Sequence, residues 1–248
     1  MQVCCRQFQP GPPGHQVICM DSADLQRLLR AATAFPGVNV RIASIGTARR
    51  IVEEQLDLGR HIEISRLRAE HKTLGDHLHP DDRDSDLFEL QQQVVHLLPK
   101  VFRGGYLVSL WSVLERCTHD IASIAGERIG KPISGRLFRR PFFESAQIAF
   151  RETVGLSAFP DNQTEIRLLQ LQVVRNILAH HDGRVSELKP PLSGLTSEQL
   201  AAHELNVVDD DDFSYVVPTE EYLVRNTKLV SVYLHGLEER VFNVLEPE

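Results

Sequence analysis

The chain is short of cysteine, has no long apolar run and carries no excess of positive charge, and each shortage removes a class of protein. Its four cysteines are Cys4, Cys5, Cys19 and Cys117, three of them crowded near the start. That distribution fits neither a disulfide framework nor paired zinc-ligand spacings. No stretch approaches the ~18 consecutive apolar residues that a membrane-spanning helix needs. The first twenty residues lack a basic start followed by an apolar core, and Pro10, Gly11, Pro12, Pro13 and Gly14 would interrupt one. The expectation is a cytoplasmic protein without a membrane anchor. With 27 Lys+Arg against 34 Asp+Glu the formal charge is -7, so bulk charge cannot hold nucleic acid and any polyanion site must be a local patch. Histone-like binders are excluded, whereas enzymes that cut RNA are not.

What is present is an ordinary globular composition, 42% apolar and 25% charged over 248 residues, enough for one large domain or a domain with an appendage. There is no internal repeat, no Gly-rich phosphate loop and no Ser-centred nucleophile elbow. Residues 1–38 read as an N-terminal extension, aperiodic at first and then a short helix over 22–34 with Leu25, Leu28 and Leu29 as its stripe. Residues 39–84 read as a solvated amphipathic helix, with Ile45, Val52, Leu56, Ile62 and Leu67 at helical spacing, followed by a linker. The composition of 77–86, a proline among four acids, places the boundary of the main domain there, leaving 85–248 as one helical unit.

Inside that unit, 87–125 is apolar-rich, and Pro99 with Gly104 and Gly105 predicts two helices in line or one kinked helix. Asn162 with Glu165 reads as a capping box opening a helix that runs to His180, apolar around nearly its whole circumference and so expected at the centre. A short helical piece is expected near 197–204 and a strand over 213–217. Thr219 is the expected cap of a last helix reaching about residue 245.

The informative segment is VRNILAHHDGRV, residues 174–185, which strings Arg175, Asn176, His180, His181 and Asp182 along the end of an apolar helix. An arginine in such a place needs an acidic partner or a cleft. Asn176 and His180, four apart, share a helix face, so the amide can orient the imidazole while Arg175 swings to the same rim. Imidazole exchanges a proton near neutral pH, and guanidinium neutralises charge gathering on a phosphorane. With RNA the neighbouring 2′-hydroxyl is a built-in nucleophile, so the pair can act without metal.

Arg175 and Asn176, then three residues, then His180, with Gly183 beyond, resembles the Arg-x4-6-His signature of the HEPN superfamily, and the flanking helices of residues 85–245 are similar to it as well. The resemblance implies a mainly all-α, HEPN-like helical bundle with a short β segment, and the N-terminal helical extension read from the sequence pattern lies outside it. It also implies a homodimer with two Arg-His pairs lining one cleft. The implied activity is a metal-independent endoribonuclease of the kind used in toxin–antitoxin or antiphage systems, with RNA as substrate, no cofactor and an antitoxin protein as a further partner. Carried over, Arg175 and His180 are the catalytic pair, Asn176 is the polar residue after the arginine, and Glu115 is the acid that orients Arg175. His181, directly after His180, leaves open which imidazole faces the cleft.

Each of these residues also has a plainer reading. Arg175 with Glu115 would serve as a buried ion pair setting helix register, and His180 with His181 as a polar helix end. The whole chain would then be a non-catalytic helical module that binds nucleotide, RNA or a partner protein. Lys131, Arg136, Arg139 and Arg140, with Phe138, Phe142 and Phe143 interleaved, form a stretch able to grip RNA backbone and stack bases, or else a solvated loop anchored by phenylalanine. His71, His77 and His79 beside Asp76, Asp81 and Asp82 lie in a charged linker without fixed geometry, and no metal site is expected there.

Overall fold

A computed structural model describes residues 35–74, 85, 88–90, 92–209 and 213–246. The helix expected over 22–34 and the acidic residues 210–212 lie outside them. The described chain is mainly helical, with one small sheet. The elements are α1 (Pro36–Leu74), a π-helical turn (Gln92–Leu97) leading into α2 (Leu98–Arg128), α3 (Phe142–Thr153), α4 (Asn162–His180) and α5 (Ser197–Ala202). Strands β1 (Leu205–Asp209) and β2 (Ser214–Pro218) follow, then α6 (Glu220–Leu245). Among the described residues no helix is long and apolar enough to cross a membrane.

The central rod is α2 rather than α4. It runs without interruption through both glycines expected to break it, and Pro99 sits in its first turn, directly after the π-helical turn that leads into it. Tyr106, Leu107, Leu110, Trp111, Leu114, Cys117 and Ile121 are all buried on it, and α1, α3, α4, α6 and β2 pack around it. In α4 the buried residues are Leu168, Leu171, Val173, Val174 and Ile177, while Ile166, Leu169 and Leu178 are only half-buried. An all-round apolar wheel thus overstated its enclosure, because aliphatic side chains also sit at the rim of a core.

Two local expectations shift by a residue or an element. The cap of α4 is Asp161, whose carboxylate accepts from the Thr164 amide at 2.6 Å, and not Asn162. The expected strand pairs with a second, giving an antiparallel ribbon in register from Leu205 opposite Pro218 to Asp209 opposite Ser214. Thr219 caps α6 as expected, accepting from the Tyr222 amide. Tyr222, Leu223, Val230, Tyr233, Leu234, Leu237, Val241 and Phe242 form its buried stripe.

The boundary drawn near residue 84 does not separate two cores. Phe35, Val38 and Ile45 belong to the same apolar cluster as α2 and α6. Glu53 of α1 accepts two hydrogen bonds from Arg103 of α2, at 2.9 and 2.7 Å, and Arg103 also donates to the Pro218 carbonyl at 3.0 Å. Arg41 pairs with Asp120 higher on the same helix. Of the expected stripe on α1, Ile45, Leu56 and Leu67 are buried and Ile62 is exposed. Polar composition concealed this docking, since ion pairs rather than apolar contacts make much of it.

Glu238, on the buried side of α6, has an Oε1 without a hydrogen-bond partner, and burial pushes its carboxyl from 4.5 up to about 7. The folded chain therefore holds this proton more tightly than the unfolded chain does. Its contribution favours the folded state below the unfolded value and is lost as pH climbs from about 4.5 to about 7. Glu238→Gln is expected to raise stability at pH 8 by on the order of 2–3 kcal/mol and to change it little near pH 4.5, as read by thermal melts at the two pH values.

Candidate functional site

The segment singled out in the sequence forms the C-terminal end of α4 and the turn beyond it. The helix closes by the His181 and Gly183 amides both donating to the Ile177 carbonyl at 2.9 Å. Asp182 and Gly183 then take positive φ, 50° and 74°. The Gly183 carbonyl accepts from the Val216 amide at 2.8 Å, and Arg184 bridges to Tyr215, so the turn is fastened to β2. On the other side Leu178 lies over Gly104 of α2, where a Cβ would stand 3.7 Å from the leucine. The two helices are therefore in contact at the point where the motif emerges, at a spacing that would also admit a Cβ.

Arg175 is half-buried, and its guanidinium donates to the Asn176 side-chain oxygen at 2.8 Å. No carboxylate pairs with it among the described residues, and its Nε is buried without a partner. Glu115, expected to orient this arginine, makes no hydrogen bond or ion pair to it. The Asn176 oxygen is engaged by Arg175, so it holds the guanidinium and not the His180 ring as expected. His180 is exposed, with no hydrogen-bond partner among the described residues. His181 is also exposed, with Nδ1 3.9 Å from Glu187 Oε2. The structure therefore distinguishes the two histidines: one ring has a carboxylate nearby and the other is free.

A lysine that the sequence reading passed over completes the region. Lys100 of α2 is 9% exposed, donates to Asp182 Oδ1 at 2.8 Å and lies 4.3 Å from the centre of the Tyr215 ring. Its only sequence signal was a lone cation in an apolar stretch, which requires a partner. Nothing local names that partner, which lies 82 positions away. Between the start of α2 and the end of α4 is a groove of about 280 Å³ bordered by Val101, Gly104, Gly105, Val108 and Ala179, with Lys100 and Asp182 at one end. Val101 is 65% exposed beside it.

The basic stretch is somewhere else. Lys131, Arg136 and Arg140 line a cavity of about 560 Å³ near the far end of α2, and Arg139 does not line it. Gly126, at that end, lies twenty-two residues along the helix from Gly104, about 33 Å at ~1.5 Å per residue. Arg140 is paired with Glu144 at 2.7 Å. Of the interleaved phenylalanines Phe142 is buried, edge-on against Trp111 at 5.2 Å, while Phe143 and Phe138 are half-buried, the first against Phe159 at 5.3 Å and the second on His119 at 3.9 Å. Of the linker histidines and acids only His71 is among the described residues, within which no group of three or more His, Cys, Asp or Glu gathers around a point.

Comparison with protein-family models, with curated proteins and with solved structures finds no match. The geometry is thus the ground on which function is argued.

A side chain at 183 would be strained by φ +74° and would bring a Cβ to 3.2 Å from the Val216 carbonyl oxygen. Gly183→Ala is therefore expected to destabilise the chain by about 1–3 kcal/mol, measured by urea denaturation.

Proposed function

We propose that the chain is a metal-independent endoribonuclease of HEPN type, acting in the cytoplasm through Arg175 and His180. The observation that carries this reading is a half-buried guanidinium with no carboxylate partner among the described residues, five residues before an exposed imidazole that also has no partner among them. An arginine held only by an amide oxygen keeps its charge available to a phosphate. In the reaction the 2′-oxygen bonds to phosphorus as the P–O5′ bond breaks, leaving a 2′,3′-cyclic phosphate and a free 5′-hydroxyl. His180 takes the 2′-hydroxyl proton or supplies one to the departing oxygen, and Arg175, held by Asn176, stabilises the charge on the phosphoryl oxygens. The exposed Val101 and the small-residue groove beside the motif support self-association there, which would bring two Arg-His pairs together. A proteinaceous inhibitor, such as the antitoxin of a toxin–antitoxin pair, would cover the same face.

One observation favours a second reading, a module that binds RNA or a partner without cleaving. No described residue hydrogen-bonds to His180, so among them its ring has no orienting partner of the kind that general-base catalysis usually has.

Labelled RNA incubated with the protein in EDTA separates the two. Cleavage is expected to persist in EDTA, to fall at least about 100-fold in Arg175→Ala and in His180→Ala, and to stay within about threefold in His181→Ala. RNA retention without any cleavage, weakened by Arg175→Ala, would establish the binding module instead.

A further inference from the structure

A cavity of about 600 Å³ opens between the first turns of α4, the start of β1 and α6. On α4 its wall runs from Gln163 to Gln170 and stops five residues, about 7.5 Å at ~1.5 Å per residue, short of Arg175, which does not line it. Its volume is in the range of pockets that hold small molecules. Leu192, Leu205, Leu229 and Val232 give it an apolar body.

The polar groups in its wall are unusual for an idle surface hollow. Tyr222 is 3% exposed and its hydroxyl has no hydrogen-bond partner. Asn226, one turn further along the same face of α6, is 4% exposed. Its amide nitrogen donates to the Tyr222 carbonyl at 2.8 Å, and its oxygen accepts from no described residue. The Tyr222 hydroxyl is sealed inside the wall, whereas the Asn226 oxygen is not sealed and keeps hydrogen-bonding capacity that no described residue uses. Charge points the same way. Arg167, Arg225 and Lys228 line the cavity, and no Asp or Glu does. Arg225 is occupied by Glu204 at 3.1 Å, whereas Arg167 and Lys228 form no ion pair with a described residue.

We propose that this cavity binds a small organic anion with an apolar body. Its charged head lies between Arg167 and Lys228, its body lies against Leu192, Leu229 and Val232, and a polar edge pairs with the Asn226 oxygen.

The test is a fluorescence titration of the full chain with 1-anilinonaphthalene-8-sulfonate, set beside its uncharged counterpart N-phenyl-1-naphthylamine. Saturable binding is expected for the sulfonate, and about tenfold weaker binding for the uncharged dye. The Arg167→Glu, Lys228→Glu double variant, altered only at exposed positions, should bind the sulfonate at least about tenfold more weakly. Tyr222→Phe, which removes a sealed and unsatisfied hydroxyl, should fold as well as the parent or better and bind the sulfonate within about twofold of it. Phenyl phosphate and 3-phenylpropionate, added as competitors, identify the preferred head group by which displaces the dye at the lower concentration. No saturation below about 1 mM, equal affinity for the two dyes, an unchanged affinity in the double variant, or displacement by neither competitor overturns the proposal.

Discussion

A 31-residue helix with apolar side chains on several faces cannot stand in water, and the need to cover α2 organises everything else in the structure. Helices α1, α3, α4 and α6 are the covers, and each is held by a contact suited to its own surface. α3 lays down a face of Phe142, Ala146, Ala149 and Phe150. α1, too polar to dock by apolar contact alone, is tied by the Arg103–Glu53 pair, whose partners are both about 15% exposed. The end of α4 reaches α2 where Gly104 presents no side chain and Leu178 fills the space. The position of the Arg175 motif is a consequence of that last contact.

The same contact explains why the motif is rimmed and not sealed. Because α4 meets α2 at its final turns, its last residues project past the core, where His180 and His181 are exposed and Arg175 is half covered. Beyond them the chain must turn sharply to join β2. Asp182 and Gly183 in the left-handed region make that turn, and Lys100 clamps it by bonding Asp182 while its ammonium lies over Tyr215. A rigid turn of this kind keeps the end of α4 in one conformation, which any chemistry at the rim requires.

Much of the fold was legible because it rests on local rules. The course of α4 to His180, the Thr219 cap and the stripe of α6 follow from side-chain period and capping chemistry, which act within a few residues. Three features were misread for lack of tertiary context. Gly104 and Gly105 suggest a break in isolation, but packing holds the helix through them. The apolar wheel of α4 suggested the centre, although burial depends on which neighbours arrive. The beginning of α1 was placed outside the main unit because ion pairs to Arg103 and Asp120 leave no trace in hydropathy.

For the candidate site the division is sharper. The order of residues alone determined that an arginine, an amide and two histidines would ride the last turns of one helix, since spacing along a helix is fixed by its pitch. Whether those groups found partners was decided by the approach of distant segments. Glu115 stayed apart from Arg175, Glu187 came near His181 but not His180, and Lys100 met Asp182 across 82 positions. Folding also carried the basic stretch to the opposite end of α2, because a chain that reverses between helices places neighbours in sequence wherever the rod between them ends. Local periodicity is written in short-range sterics and can be read from a string of residues. Pairing between remote side chains depends on how whole helices settle against one another, and only the packed structure contains that information.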